Sequence, residues 1–168
     1  MKARILVWTA MMFGGAALGI ILDLSWFSGL FRNIYFHLIT LVPGAGLMRL
    51  VMLVSRNTGR ALARKGREGE VAKFETNKLV TEGYYSCMRH PMHFGLLFFP
   101  LSFALVVGSV SFIILIAPLE IIIMIVLIKL FEEPEAVRKF GDEYRKYMHE
   151  VPMFSLKWSC IKKLFSEA

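Results

Sequence analysis

Two polar clusters in this 168-residue sequence have the residue types and the spacing to bind a charged small molecule. The first is YYSCMRHPMHFG, residues 84–95, where Arg89, His90 and His93 stand immediately before a long apolar run. The second is FEEPEAVRKFGDEYRKYMHEVPMF, residues 131–154, where Glu132 and Glu133 stand immediately after one, and Phe140, Tyr144 and Tyr147 recur at the intervals of a single helical face. A guanidinium and two imidazoles set against two carboxylates, beside aromatic rings, form a pocket of both charge signs. Such a pocket suits a zwitterionic ligand held by charge-assisted hydrogen bonds. Each cluster alone has a plainer reading, because charge at the end of an apolar run usually marks a membrane boundary. The functional reading requires that the two meet.

The elements that must bring them together follow from the apolar pattern. With 56% hydrophobic residues, the chain has too little polar surface to cover a soluble core of its size, which indicates an integral membrane protein. Residues 5–22 carry no charge and residues 34–54 only Arg49, so each is long enough to cross a hydrocarbon core of about 30 Å as a helix. Residues 92–128 hold a single charge, Glu120, and are too long for one crossing. The small-residue stretch VGSVS at 107–111 is where they must fold back, giving a short third helix and a fourth over about 112–131. This hairpin returns Glu132 and Glu133 to the side of Arg89, His90 and His93. The first run could also be a signal peptide, since Lys2 and Arg4 precede it, but its length and the lack of a clear cleavage site favour an uncleaved helix.

Orientation follows from the basic residues. Lys2 and Arg4 precede the first helix, Arg56, Arg60, Arg64, Lys65 and Arg67 follow the second, and Arg138, Lys139, Arg145 and Lys146 follow the fourth. The other connections carry almost no basic charge, so both termini are expected in the cytoplasm. A net charge of +7 then lies against anionic lipid headgroups. A nucleic-acid partner is not expected, because no binding motif is present and the membrane accounts for the charge. Cys87 and Cys160 have no metal or redox spacing, and no metal site is expected.

Inside the apolar runs, Pro43, Gly44 and Gly46 suggest a kink and close helix approach, Pro100 and Pro118 suggest bends, and His37 and Arg49 suggest contacts with headgroups. Glu120 is too deep for its short side chain to reach water comfortably. It is either a hydrogen-bonded packing residue or part of a pocket lining. In the tail, Phe154, Trp158, Ile161 and Phe165 share a helical face among lysines, which predicts an interfacial helix and not a fifth span.

Gly83, Tyr85, Arg89, His90, Pro91 and Gly95 fit GxYxxxRHPxxxG, and Glu132, Glu133, Phe140, Gly141, Tyr144 and Tyr147 fit EExxxxxxFGxxYxxY. Over residues 77–154 the chain therefore resembles the isoprenylcysteine carboxyl methyltransferases, a family itself similar to the phospholipid N-methyltransferases. The resemblance implies an all-α membrane methyltransferase of about four transmembrane helices, acting on a membrane lipid or lipidated substrate. It implies one domain over residues 1–168, with the first two helices in 1–55. It implies S-adenosylmethionine in a cytoplasm-facing pocket formed by Tyr85, Arg89, His90, His93, Gly95, Glu132 and Glu133. Arg89 or His90 would meet the cofactor's carboxylate, and Glu132 or Glu133 its ammonium or ribose hydroxyls. An amine acceptor would need to lose a proton, for which Glu120, His90 and His93 are the candidates, with none assigned. Two positions depart from the family pattern: His93 replaces a common tyrosine, and Glu150 replaces a common arginine before Val151 and Pro152. Both bear on the acceptor more than on the chemistry. The competing reading is a noncatalytic four-helix scaffold or binding protein.

Overall fold

Helix α1 (Lys2–Trp26), a single turn α2 (Ser28–Phe31) and the long α3 (Ile34–Lys65) open the chain. They are followed by α4 (Pro91–Leu96), α5 (Phe99–Val107), α6 (Ala117–Leu127), α7 (Glu133–Glu150) and α8 (Trp158–Phe165) in the computed structural model, which describes residues 2–72 and 75–166. The side chains of Lys2 and Arg4, used above for orientation, lie outside the described residues. A 3₁₀ turn covers Gly83–Ser86, and π turns at Phe112–Ile116 and Ile128–Glu132 flank α6. The described residues are all-helical, without strands. Three helical stretches are long and apolar enough to span a membrane, Leu6–Trp26, Ile34–Lys65 and Phe112–Glu150, with a shorter apolar one at Pro91–Val107. The protein is an integral membrane protein.

The third apolar run differs from the single short helix expected of it. It is two pieces, α4 and α5, with a turn at residues 97–98 and Pro100 in the first turn of α5. Proline is tolerated there because its missing N–H has no helical partner. The fold-back comes where expected, at Gly108, whose φ of 69° ends α5 in a left-handed conformation suited to glycine. At the other end, the stretch Phe112–Glu150 has 39 residues, about twice what one crossing of a hydrocarbon core needs. Its apolar part ends at Phe131, so α7 is a polar extension outside the span.

The chain divides into two units, Met1–Leu50 with Leu97–Val126, and Val51–Leu96 with Leu127–Ala168. In the first unit, Gly15, Gly19 and Asp23 form a stripe along α1 at intervals of four. A Cβ on Gly15 would lie 2.5 Å from Glu120 Oε1, and one on Gly19 would lie 2.7 Å from Ser109 Oγ and 2.9 Å from Phe112 Cβ. Asp23, fully buried, accepts the Ser111 N–H at 2.8 Å at the start of the helix that leads into α6. Gly44 of α3 is packed so closely on Leu105 and Val106 that a Cβ would come within 2.8 Å, whereas Gly46 has open space. Pro43 lies within α3, which continues through it. His37 Nε2 bonds the Phe31 carbonyl, and its ring fills the place of a Gly108 side chain. This is an internal contact for a residue expected at the headgroups.

The second unit has its own core of Val54, Ala61, Val80, Tyr84, Tyr85, Met88, Cys160 and Leu164. A disulfide joins Cys87 to Cys160, a pairing that the spacing of the cysteines did not suggest. Helix α8 is shorter than the tail pattern implied, because Phe154 lies before it. Its inward face is Cys160 and Leu164, while Trp158 and Phe165 are exposed. The helix thus turns its small and aliphatic residues to the core and its aromatic rings outward.

Candidate functional site

The second unit contains a cleft, and every residue lining it belongs to that unit. One wall is an irregular segment carrying Thr76, Lys78, Leu79 and Val80. Asn77 pins this segment: its side chain exchanges two hydrogen bonds with the Glu68 backbone, at 2.7 and 2.8 Å, and its N–H donates to Gly66 O at 2.9 Å. The floor is Tyr85 with Arg89 through His93, and the far wall is Glu132, Ala136, Phe140, Tyr144 and Tyr147. Phe140 and Tyr144 flank Gly141, whose φ of 60° and ψ of −134° break the helical path of α7. Both nonetheless line the cleft. About 150 Å³ is accessible to a water-sized sphere, below the roughly 300–1,000 Å³ of a pocket that engulfs a drug-sized ligand. A nucleoside-sized ligand would therefore occupy the cleft together with its mouth.

Arg89 is held from every side. Its Nε donates to Glu133 Oε1 at 2.8 Å and its Nη2 to Oε2 at 3.1 Å, a two-pronged pairing that matches guanidinium to carboxylate geometry. Its Nη1 donates to the carbonyls of Met148 and Val151, and its backbone N–H to Pro152 O. The His90 Nε2–H reaches Glu133 Oε1 at 3.1 Å, its N–H donates to Met153 O, and its ring meets His93 edge-on with centroids 5.5 Å apart. Both side chains of the Arg89–Glu133 pair are more than nine-tenths buried. Burial alone would raise the Glu133 pKa, but hydrogen bonds from His90 and Arg89 and their positive charge outweigh it and hold the carboxyl below its ordinary value.

The tyrosines behave differently. Burial pushes the Tyr85 phenol up, and burial followed by the Glu133 charge pushes Tyr144 up to about 12. Both stay protonated at any physiological pH, so they serve as rings and hydrogen-bond groups and not as bases. The Tyr147 hydroxyl donates to the Tyr85 carbonyl, tying the far wall to the floor.

Of the seven residues expected to contact a cofactor, Tyr85, Arg89, His90, His93 and Glu132 line the cleft. Glu133 lies behind them on Arg89. Gly95 sits apart, where an added Cβ would meet Val54 at 2.9 Å and Ser55 at 3.3 Å. Lys78, Leu79 and Val80 were not singled out from sequence, since nothing in their types distinguishes them from an ordinary loop. Glu120 belongs to the other unit, where its Oε2 is buried without a hydrogen-bond partner. Among the described residues, no group of three or more His, Cys, Asp or Glu could hold a metal ion.

The phospholipid methyltransferase family model matches residues 39–143, more than half of the chain and most of the cleft. No curated protein and no solved structure matches the chain.

Proposed function

Because the chain belongs to the phospholipid methyltransferase family, we propose that it transfers a methyl group from S-adenosylmethionine to an acceptor borne in the lipid bilayer. The observation that carries this reading is the composition of the cleft. Leu79, Val80, Phe140 and Tyr144 offer apolar and aromatic surface to a nucleobase, while Lys78, the His93 imidazole and the Glu132 carboxylate offer polar partners of both signs. These groups fit a zwitterionic nucleoside. Glu132 is positioned to meet an ammonium or ribose hydroxyl, and Arg89 and Glu133 fix the floor on which His90 stands. When bound, S-adenosylmethionine would supply a sulfonium-activated methyl group for in-line displacement. The protein's part would be positioning and exclusion of water.

The acceptor class we favour is a phospholipid, the lipid that the family's description names, methylated on an amine headgroup. A prenylcysteine carboxylate is the second reading, favoured by the RHP and paired-glutamate motifs but opposed by Glu150 before Val151 and Pro152. We place both termini in the cytoplasm, with the basic residues following α3 and within α7 against anionic headgroups.

Calorimetric titration of the purified protein with S-adenosylmethionine, followed by transfer of labelled methyl to phosphatidylethanolamine and to a prenylcysteine in bilayers, tests the proposal. Saturable binding and a labelled amine lipid are expected. No binding would overturn the methyltransferase reading, and label on the prenylcysteine alone would replace the acceptor.

A further inference from the structure

The cleft poses a charge question that the sequence pattern answers differently. A methyl donor carrying an amino-acid moiety presents a carboxylate, and the sequence offers Arg89 or His90 to meet it. The geometry shows both engaged elsewhere. A guanidinium has five N–H donors, and in Arg89 they reach both oxygens of Glu133 and the carbonyls of Met148 and Val151, leaving one N–H on Nη2. The positive charge is neutralised by a carboxylate as buried as itself. His90 points its Nε2 at the same carboxylate. Turning either group toward a ligand would strip partners from Glu133 in a buried site, where an unpaired charge is costly, and the one Arg89 N–H left over belongs to a guanidinium whose charge is already matched.

Among the described lining residues, Lys78 carries the only amine. Its backbone is fixed, because its N–H donates to Gly66 O at 3.2 Å beside the Asn77 clamp. Its side chain is 59% exposed, and its ion pair with Glu68, at 3.5 Å, is with a side chain 76% exposed. Exposed pairs of this kind hold weakly and exchange readily. Lys78 thus combines an anchored backbone with an ammonium that can swing between Glu68 and the cleft.

We propose that Lys78 is the residue that binds the carboxylate of the methyl donor's amino-acid moiety. The assignment rests on the methyl-donor reading of the cleft and names one contact within it.

The test compares two ligands that share the adenosine and differ in the amino acid: S-adenosylmethionine, and 5′-methylthioadenosine, which has no carboxylate. Affinities are measured by calorimetry for the full-length protein and its Lys78→Gln and Lys78→Arg variants. Lys78→Gln is expected to weaken S-adenosylmethionine about tenfold, to leave 5′-methylthioadenosine unchanged, and to be largely rescued in Lys78→Arg. Equal weakening of both ligands would show that Lys78 only shapes the wall, and an unchanged S-adenosylmethionine affinity would remove it from the site; either result overturns the proposal. Failure of the wild-type protein to bind either ligand is a distinct result, which brings down the methyl-donor reading itself and this assignment with it.

Discussion

In the unit formed by Val51–Leu96 and Leu127–Ala168, a buried arginine and a histidine both turn N–H groups to one buried glutamate, and two backbone carbonyls accept from the other end of the guanidinium. In the unit formed by Met1–Leu50 and Leu97–Val126, Asp23 and Glu120 are as deeply buried, yet each keeps one carboxyl oxygen without a hydrogen-bond partner, as does the Ser111 hydroxyl. What the second of these has instead is close approach, with helix backbones brought together at Gly15, Gly19 and Gly44. One unit is thus organised around a paired buried ion network and a covalent bridge, although its Ser55 hydroxyl too lacks a hydrogen-bond partner among the described residues, and the other around steric fit between apolar helices. The distinction matters for function, because a paired network holds the cleft floor at fixed geometry, whereas the polar atoms along the packed stripe are buried between helices.

The largest effect should come from opening the network. Glu133→Ala leaves Arg89 buried and unpaired, and removing one member of such a pair costs roughly 3–5 kcal/mol. Glu120→Gln, the matching charge removal in the other unit, is expected to shift stability by less than about 1 kcal/mol, because its carboxylate has no ion pair among the described residues to lose. Detergent-solubilised thermal unfolding reads both, and equal losses would abolish the contrast. The network also sets a pH response. Because the Glu133 carboxyl is held below its ordinary value of 4.5, its contribution is fully present above that pH and is lost as the pH falls through the folded-state value. Wild type should therefore lose stability in acid below about pH 4.5 in a step that Glu133→Gln lacks.

Next in size is the bridge. The residues between Cys87 and Cys160 form a long closed loop, so Cys87→Ser, or reduction of the wild type, should cost roughly 2–4 kcal/mol. The same pair sharpens the orientation. Cytoplasmic thiols are kept reduced, so maleimide applied to intact cells before lysis should label both cysteines, while protein purified in air should carry the bridge. A bridge already closed in cells would put this end of the chain on the other side of the membrane.

The sequence carries much of this architecture and little of the network. Apolar run lengths locate the spans, and Gly108 marks the fold-back, because both depend on local chemistry. The two motif clusters single out charges that the fold brings together at one cleft, since Arg89, His90, Glu132 and Glu133 are conspicuous beside apolar runs. Which charge pairs with which is a matter of three-dimensional register, so the sequence does not show that the donors of Arg89 face Glu133 and the carbonyls of Met148 and Val151. Cys87 and Cys160 are separated by 73 positions, and no local pattern predicts that meeting. Gly141 reads as one weak position in an otherwise helical α7, although its backbone breaks the helix there. Lys78 sits in a segment without periodicity, whose path is set by the contacts of Asn77 with Glu68 and Gly66.

The smallest predicted effects test the steric half of the comparison, within a single motif. Gly44 and Gly46 lie two residues apart in α3, and the sequence treats them alike as small residues in PGAG. The structure separates them: an alanine Cβ at position 44 would come within 2.8 Å of the Val106 backbone nitrogen, while at position 46 it would meet nothing within 4 Å. Backbone cannot yield as a flexible side-chain tip can, so Gly44→Ala should act as overpacking and cost about 1–3 kcal/mol. Gly46→Ala meets no such obstacle and removes a residue of high unfolded-state entropy from a helix interior, so it should stabilise by roughly 0.5–1 kcal/mol. The opposite signs are the informative result, because helix propensity alone would make both substitutions stabilising. Unfolding midpoints for the two variants in the same detergent decide the matter: if Gly44→Ala is as stabilising as Gly46→Ala, close backbone approach is not what holds this unit, and its buried carboxylates must contribute more than their unpartnered oxygens imply.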